Sequence, residues 1–314
     1  MRKLVIVENR SELGAGTRGA SLGVEAMKIA AVNAGSSFFM DHPRQTVPDE
    51  NHLLYHRVKN QSAKRIGGIV KVYKKLAKQI QTSLENGKFP IVLSGDHSSA
   101  GGTIAGLKAA YPEKRLGVIW IDAHADMHTP YTSPSGNVHG MPLATATNED
   151  NLECKRTEPS EEVVGMWESL KKTGINGKKV DYQDIVFIAL RDFEEEEASL
   201  IERNQVKVFK TSEVRKAGPE AIVKATLEHL NDCGVLYISF DVDSMDKSIS
   251  EGTGTPVENG ILPEEAKGLL LGLLKEERVA CLEFTEVNPL LDEKNKMAEV
   301  AFDILDECGK ALQS

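Results

Sequence analysis

The chain has 314 residues, 40% of them hydrophobic, with 26 glycines and 12 prolines, enough to bury the core of one large α/β domain or of two smaller ones; no composition shift marks a linker, and a single domain over 1–314 is taken as the expectation. Its formal net charge of −9 lacks the basic balance that a nucleic-acid partner requires and suits a small cationic substrate. No apolar run is of membrane-spanning length, the run Leu4-Val5-Ile6-Val7 that follows Met1-Arg2-Lys3 is too short for a secretory apolar segment, and Cys154, Cys233, Cys281 and Cys308 form no Cys-x-x-Cys pair. These features point to a cytoplasmic protein with reduced thiols and no membrane partner.

From the N-terminus, the apolar run 3–7 reads as a strand and 22–32 as a helix. The polar stretch 35–61 reads as a long surface connection. A helical pattern over 64–85 leads to a strand at 90–94, a helix at 100–110 and a strand at 116–121. A second polar connection, 145–160, precedes a helix at 161–172, strands at 185–190 and 206–209, and a helix at 219–231. The strand 235–240, the helix 263–274, the strand 280–284 and the helix 294–312 complete the chain. Helices between strands imply a parallel sheet covered on both faces.

Ligands of an open parallel sheet bind beyond the carboxyl ends of its strands, and the chemically suggestive residues gather there. Asp96 and His97 follow the strand ending near Ser94; Asp122, His124 and Asp126 follow the next; Asp241 and Asp243 end a later one; Glu286 follows the last. In the strings Asp122-Ala123-His124-Ala125-Asp126 and Asp241-Val242-Asp243, every-other-residue spacing on an extended strand would aim each set at one point. Carboxylates packed so closely repel unless cations sit among them, so a metal site is expected. Each element also has a plainer reading, Asp96 as a helix N-cap and a lone Asp-x-Asp as a turn, and their coincidence at one sheet edge favours the metal.

Ser94-Gly95-Asp96-His97-Ser98, Asp122-Ala123-His124-Ala125-Asp126 and Ser239-Phe240-Asp241-Val242-Asp243-Ser244-Met245-Asp246 resemble, in order, the three signature motifs of the arginase/agmatinase (ureohydrolase) family. The resemblance, closest to the arginases, implies a three-layer α/β/α sandwich around a mainly parallel, eight-stranded sheet. It implies two Mn2+ per chain, one held by His97, Asp122, Asp126 and Asp241 and the other by Asp122, His124, Asp241 and Asp243. An oxygen-rich set of four carboxylates and two imidazoles suits manganese better than structural zinc. Two such ions, roughly 3.5–4 Å apart, share one water and make a bridging hydroxide at neutral pH.

The activity implied is hydrolysis of the guanidinium group of L-arginine to L-ornithine and urea, with Asp126 as ligand and general base, His139 as proton shuttle and Glu286 as the guanidinium clamp. The run 129–140 resembles the arginase substrate loop, in which Ser135 and Asn137 would meet the α-carboxylate. Asp192, Glu194 and Glu197 stand at the acidic positions that would receive the α-amino group, and Thr255 lies in the string Thr253-Gly254-Thr255-Pro256, which also resembles arginases. His128 departs from the pattern, because arginases generally carry there an asparagine that contacts the carboxylate. Lys247 and Val24 replace customary prolines away from the chemistry. A sister activity on agmatine or formimidoylglutamate would keep the same ligands and change only these outer loops, and a non-catalytic homologue is the remaining reading. As partners, the resemblance implies a small guanidino substrate and leaves a homo-oligomer, trimer or hexamer, open.

Overall fold

A computed structural model describes residues 2–249 and 251–314. Its strands are β1 (Lys3–Asn9), β2 (Arg44–Val47), β3 (Lys88–Ser94), β4 (Leu116–Ile121), β5 (Ile185–Ile188), β6 (Lys207–Phe209), β7 (Val235–Asp241) and β8 (Val279–Thr285). They form one eight-stranded sheet in the order β2-β1-β3-β8-β7-β4-β5-β6, and every pairing is parallel.

The apolar strands are continuous because both faces are covered. In β4, Val118 and Trp120 turn toward one helix layer, packing with Leu76 and Ile80 of the helix Ile66–Glu85 and Ile104 and Leu107 of the helix Ala100–Ala110. Ile119 and Ile121 turn the other way, into a core shared with Met27 of Gly23–Asn33, Leu269 of Pro263–Leu273 and Leu305 of Lys296–Gln313. Each such fully buried side chain contributes about 1.5–3 kcal/mol. No helix among the described residues is long and apolar enough to cross a membrane.

The register positions the site. Asp241 lies opposite Thr285, Phe240 opposite both Phe284 and Ile121, and Leu93 opposite Phe284. The carboxyl ends of β3, β8, β7 and β4 therefore stand side by side at the middle of the sheet. Through this adjacency, loops distant in sequence share one rim.

Several expectations need correction. The stretch 35–61 is not only a connection: it contains the short helix Phe38–Asp41 and the edge strand β2, whose sequence Arg-Gln-Thr-Val buries only Val47 and so lacks an apolar signature. The second connection begins later than 145, because the helix Pro142–Thr147 runs into it. The helices Glu195–Arg203 and Thr211–Ala217 were not among the predicted elements. The strand expected over 185–190 stops at Ile188, where Ala189 takes a positive φ of 73° and turns the chain out of the sheet.

Candidate metal centre

The ligand strings converge, though not as extended strands. β4 ends at Ile121 and a 3-10 turn occupies Val242–Ser244, so the motif residues lie in the turns that leave the sheet. Each turn is closed by its own first aspartate: Asp122 Oδ1 accepts from the His124 amide at 2.7 Å, and Asp241 Oδ1 from the Asp243 amide at 2.8 Å. Asx turns of this kind reverse the chain within two residues and return the next side chain to the same point. On the neighbouring loop, Asp96 caps the turn carrying His97 by accepting from the Ser98 amide at 2.9 Å, which is the plainer of its two readings.

Two groups result. His97 Nδ1 stands 3.0 Å from Asp122 Oδ2, 3.0 Å from Asp126 Oδ2 and 3.1 Å from Asp241 Oδ2. His124 Nδ1 stands 3.1 Å from Asp243 Oδ2 and 3.5 Å from Asp122 Oδ1. Asp122 thus offers one oxygen to each group.

The donor set fits a pair of divalent cations. His97 Nδ1 and Asp122 Oδ2 are buried without a hydrogen bond of proper geometry although they are only 3.0 Å apart. Lone pairs aimed at a common point rather than at each other are what ligands of one ion present. Four carboxylates carry a formal charge that two dications cancel, and without cations the group is electrostatically frustrated. Burial, then the charges of Asp243 and Asp122, push the Asp241 carboxyl well above its ordinary range, and burial and Asp122 also raise Asp126. Burial disfavours the imidazolium of His97, yet the carboxylates of Asp122, Asp126 and Asp241 crowded against Nδ1 raise its pKa well above the usual histidine value. Protons shared in this way occupy the place of metal charge.

Above the floor opens a cavity of about 270 Å³. His97, His124, Asp126, Asp241 and Asp243 line its base, and His128, Ser135, Asn137, His139, Asp192, Glu194, Glu197, Thr255 and Glu286 its walls. Every site residue predicted from the sequence reaches this space except Asp122, which is buried beneath it. Glu286 Oε1 accepts from the His97 amide at 2.9 Å and pairs with His139 Nδ1 at 3.1 Å. Burial opposes the charged form of His139, but this pairing outweighs it and raises its pKa to about 9. Asp126 and Glu286 hold positive φ angles of 50° and 66°, conformations that cost a non-glycine residue about 1–3 kcal/mol and that gather at functional sites.

On the walls, Ser135 Oγ accepts from the Asn137 amide at 3.1 Å, and Asn137 Oδ1 accepts from Lys64 Nζ at 3.1 Å. The Thr255 hydroxyl donates to Asp243 Oδ2 at 3.0 Å, so it steadies a candidate ligand. Asp192 Oδ2 lies 3.6 Å from His124 Nε2. His128 Nε2 lies 2.9 Å from Glu194 and 3.5 Å from Glu197.

Sequence reasoning missed three supporting residues. Ser239 Oγ meets His97 Nε2 at 2.7 Å, and Trp120 stacks on the His97 ring at a centroid distance of 4.1 Å with planes 6° apart. The Arg191 guanidinium donates to the backbone carbonyls of Ala189, Asp243, Ser244, Met245, Val257 and Glu258, tying the β5, β7 and 257–258 loops together. Ser239 had a usable signal, since it shares the face of β7 with Asp241; Arg191 had none, because its partners are main-chain atoms.

A family model described as the arginase family matches residues 3–309. The arginase of Bacillus subtilis strain 168 is 33% identical over 305 residues, covering 96% of each chain. That of Bacillus caldovelox is 31% identical over 308 residues, covering 97% of each. The native structure of the Bacillus caldovelox arginase at pH 5.6 superposes with a TM-score of 0.84 at 31% identity, over 100% of this chain and 99% of that one. A formimidoylglutamase from Bacillus subtilis shares the fold at a TM-score of 0.76 and 16% identity, covering 100% of this chain and 88% of that one.

Proposed function

The chain belongs to the arginase family, whose members hydrolyse guanidino C–N bonds, and we propose that it cleaves L-arginine to L-ornithine and urea with two Mn2+ at the floor of the cavity. The observation that carries this reading is the shared Asp122 between two imidazole–carboxylate groups, joined to the His139–Glu286 pair where Glu286 accepts from the His97 amide. His97, Asp122, Asp126 and Asp241 would hold one ion, and Asp122, His124, Asp241 and Asp243 the other. When bound, such a pair supplies Lewis acidity and lowers the pKa of water enough to provide a nucleophile at neutral pH.

The residues of the chain account for the remaining requirements. Both bonds made by Glu286 fall on Oε1, which leaves Oε2 to accept N–H groups of the planar guanidinium and to fix its carbon over the floor. Asp126, turned to His97 through Oδ2, takes the proton of the attacking water at its other oxygen. The oxygen–carbon bond forms at the guanidinium carbon, the bond to the side-chain nitrogen breaks, and His139 Nε2 delivers a proton to that departing amine. Its Nδ1 is held by Glu286, so the ring is already oriented for the transfer. Hydroxyl and amide groups of Ser135 and Asn137 would accommodate the α-carboxylate, and the acids at 192, 194 and 197 the α-ammonium.

Separate assays of L-arginine, agmatine and formimidoylglutamate with manganese test the proposal, reading urea for the first two and formamide for the third. Urea from arginine in clear preference is the expected result. Turnover confined to agmatine would overturn the amino-acid reading, and no turnover with both ions bound would overturn the hydrolase.

A further inference from the structure

A carboxylate buried within the sheet is not used by the chemistry above. Glu283, on β8, is inaccessible to solvent; its Oε1 accepts from Ser94 Oγ at 2.6 Å and its Oε2 from the Tyr237 hydroxyl at 2.7 Å, and among the described residues no cation pairs with it. A charge buried without a counter-ion is costly, and an apolar side chain would fill the same strand position more cheaply. The register ties Glu283 to the metal centre. Trp120 of β4 lies opposite Ser239 of β7, and Ser239 lies opposite Glu283, so the three stand in one row across the sheet. Trp120 stacks on the His97 ring, and Ser239 Oγ meets His97 Nε2 at 2.7 Å. Tyr237 shares a face of β7 with Ser239 and hydrogen-bonds both to it and to Glu283. A continuous buried path thus runs from His97 Nε2 through Ser239 and Tyr237 to Glu283.

We propose that Glu283 is a positioning residue for the metal centre: acting through Tyr237 and Ser239, it sets the direction of these hydrogen bonds so that His97 keeps a proton on Nε2 and turns the lone pair of Nδ1 to the cation. The inference rests on the two-cation reading of the floor.

Each step follows from which group has a proton to give. A carboxylate only accepts, so the Tyr237 hydroxyl donates to Oε2. Burial, and then the charge of Glu283, hold the Tyr237 phenol well above its ordinary pKa, so it retains that proton. Its oxygen is left to accept from the Ser239 hydroxyl, whose own oxygen is left to accept from His97 Nε2–H. The proton that His97 gives up to a cation is then the one on Nδ1, beside Asp122, Asp126 and Asp241. With the path reversed, Ser239 would donate to Nε2 and the neutral ring would keep its proton on Nδ1, against the metal.

The test is calorimetric titration of the metal-free protein with manganese, which needs no turnover. Glu283→Met removes the acceptor and leaves Tyr237 free to donate to Ser239, so the step on the His97 side should weaken by about 10-fold or more while the His124 side keeps its affinity. Adding Tyr237→Phe removes that reversed donor, and the double variant should recover to within about 3-fold of the wild type, whereas two merely structural losses would add. Glu283→Gln, whose amide oxygen still accepts from Tyr237 while its NH2 group meets Ser94, should also stay within about 3-fold. Should Glu283→Met fail to fold, Tyr237→Phe alone, which cuts the path, should weaken the His97 step by about 3-fold and spare the other. Wild-type affinity in Glu283→Met, equal weakening of both steps, or a double variant no tighter than Glu283→Met would overturn the role of Glu283 and leave the two-cation reading standing. A wild-type protein that takes up manganese in no step assignable to His97 would overturn both.

Discussion

Replacing Ser239 by alanine removes one hydroxyl from the back of the metal floor without touching a proposed ligand. His97 turns Nδ1 to Asp122, Asp126 and Asp241, so its proton resides on Nε2, where Ser239 Oγ is the 2.7 Å acceptor. Ser239 is fully buried, and Trp120 covers the ring face at 4.1 Å. In Ser239→Ala the Nε2–H would be left unsatisfied, at a cost of about 1–3 kcal/mol. Outer partners of ligating histidines typically contribute 10–100-fold to metal affinity, about 1.4–2.8 kcal/mol, which agrees with that cost. The expected outcome is therefore selective. Manganese on the His97 side should bind about 10–100-fold more weakly. The ion on the His124 side, whose ligands Ser239 does not contact, should keep its affinity. Calorimetric titration of the metal-free protein with manganese resolves the two steps, and kcat should approach the wild-type value once manganese saturates the weaker site. Wild-type affinity at both steps, or equal weakening of both, would refute the assignment of His97 as a ligand oriented by Ser239.

Asp122→Ala should abolish turnover by removing the carboxylate common to both groups, whereas Asn137→Ala should mainly raise KM, because it removes binding shared by ground and transition states; equal loss of kcat in steady-state assays would contradict the roles. Gly136 holds φ at 69° and an added Cβ would strike the Gln61 carbonyl, so Gly136→Ala should displace the 133–140 loop, lowering Tm by calorimetry and raising KM more than it lowers kcat. Arg191→Lys gives up part of a six-carbonyl tie around Asp243 and should weaken manganese on the His124 side, the reverse of the Ser239 effect in the same titration.

Lys179 carries the clearest pH prediction. Burial lowers its pKa from 10.5 to about 8, a difference of ~3 kcal/mol between its two protonation states. The unfolded chain binds the extra proton between those values, so this residue costs stability below pH 8 and its cost fades as pH rises toward 10.5. The stability of the wild type relative to Lys179→Met should accordingly rise between pH 7.5 and pH 10 in parallel urea melts, and a constant difference would refute the shift.

The amino-acid order by itself determined a good deal. Strands such as Leu116–Ile121, apolar at every position and separated by amphipathic helices, admit only a parallel sheet buried on both faces. The aspartates and histidines after β3, β4 and β7 pointed to a candidate metal site, because few other uses exist for so many ligating groups at strand ends. What lay beyond the sequence was non-local. The pairing of β4 with β7, and of β7 with β8, decided that Asp122, Asp241 and Glu286 share one rim. The edge strand β2, lacking an apolar signature, exists only because β1 offers it a partner. Local hydrogen bonds, rather than strand periodicity, aimed the ligand side chains once β4 and β7 had ended. His97 with Ser239, 142 residues apart, and His128 with Glu194, 66 residues apart, meet because separate loops descend on the same end of the sheet. Period and composition report which face of an element is buried; which side chains face each other across loops depends on the path of the folded backbone, and that is a property of tertiary structure alone.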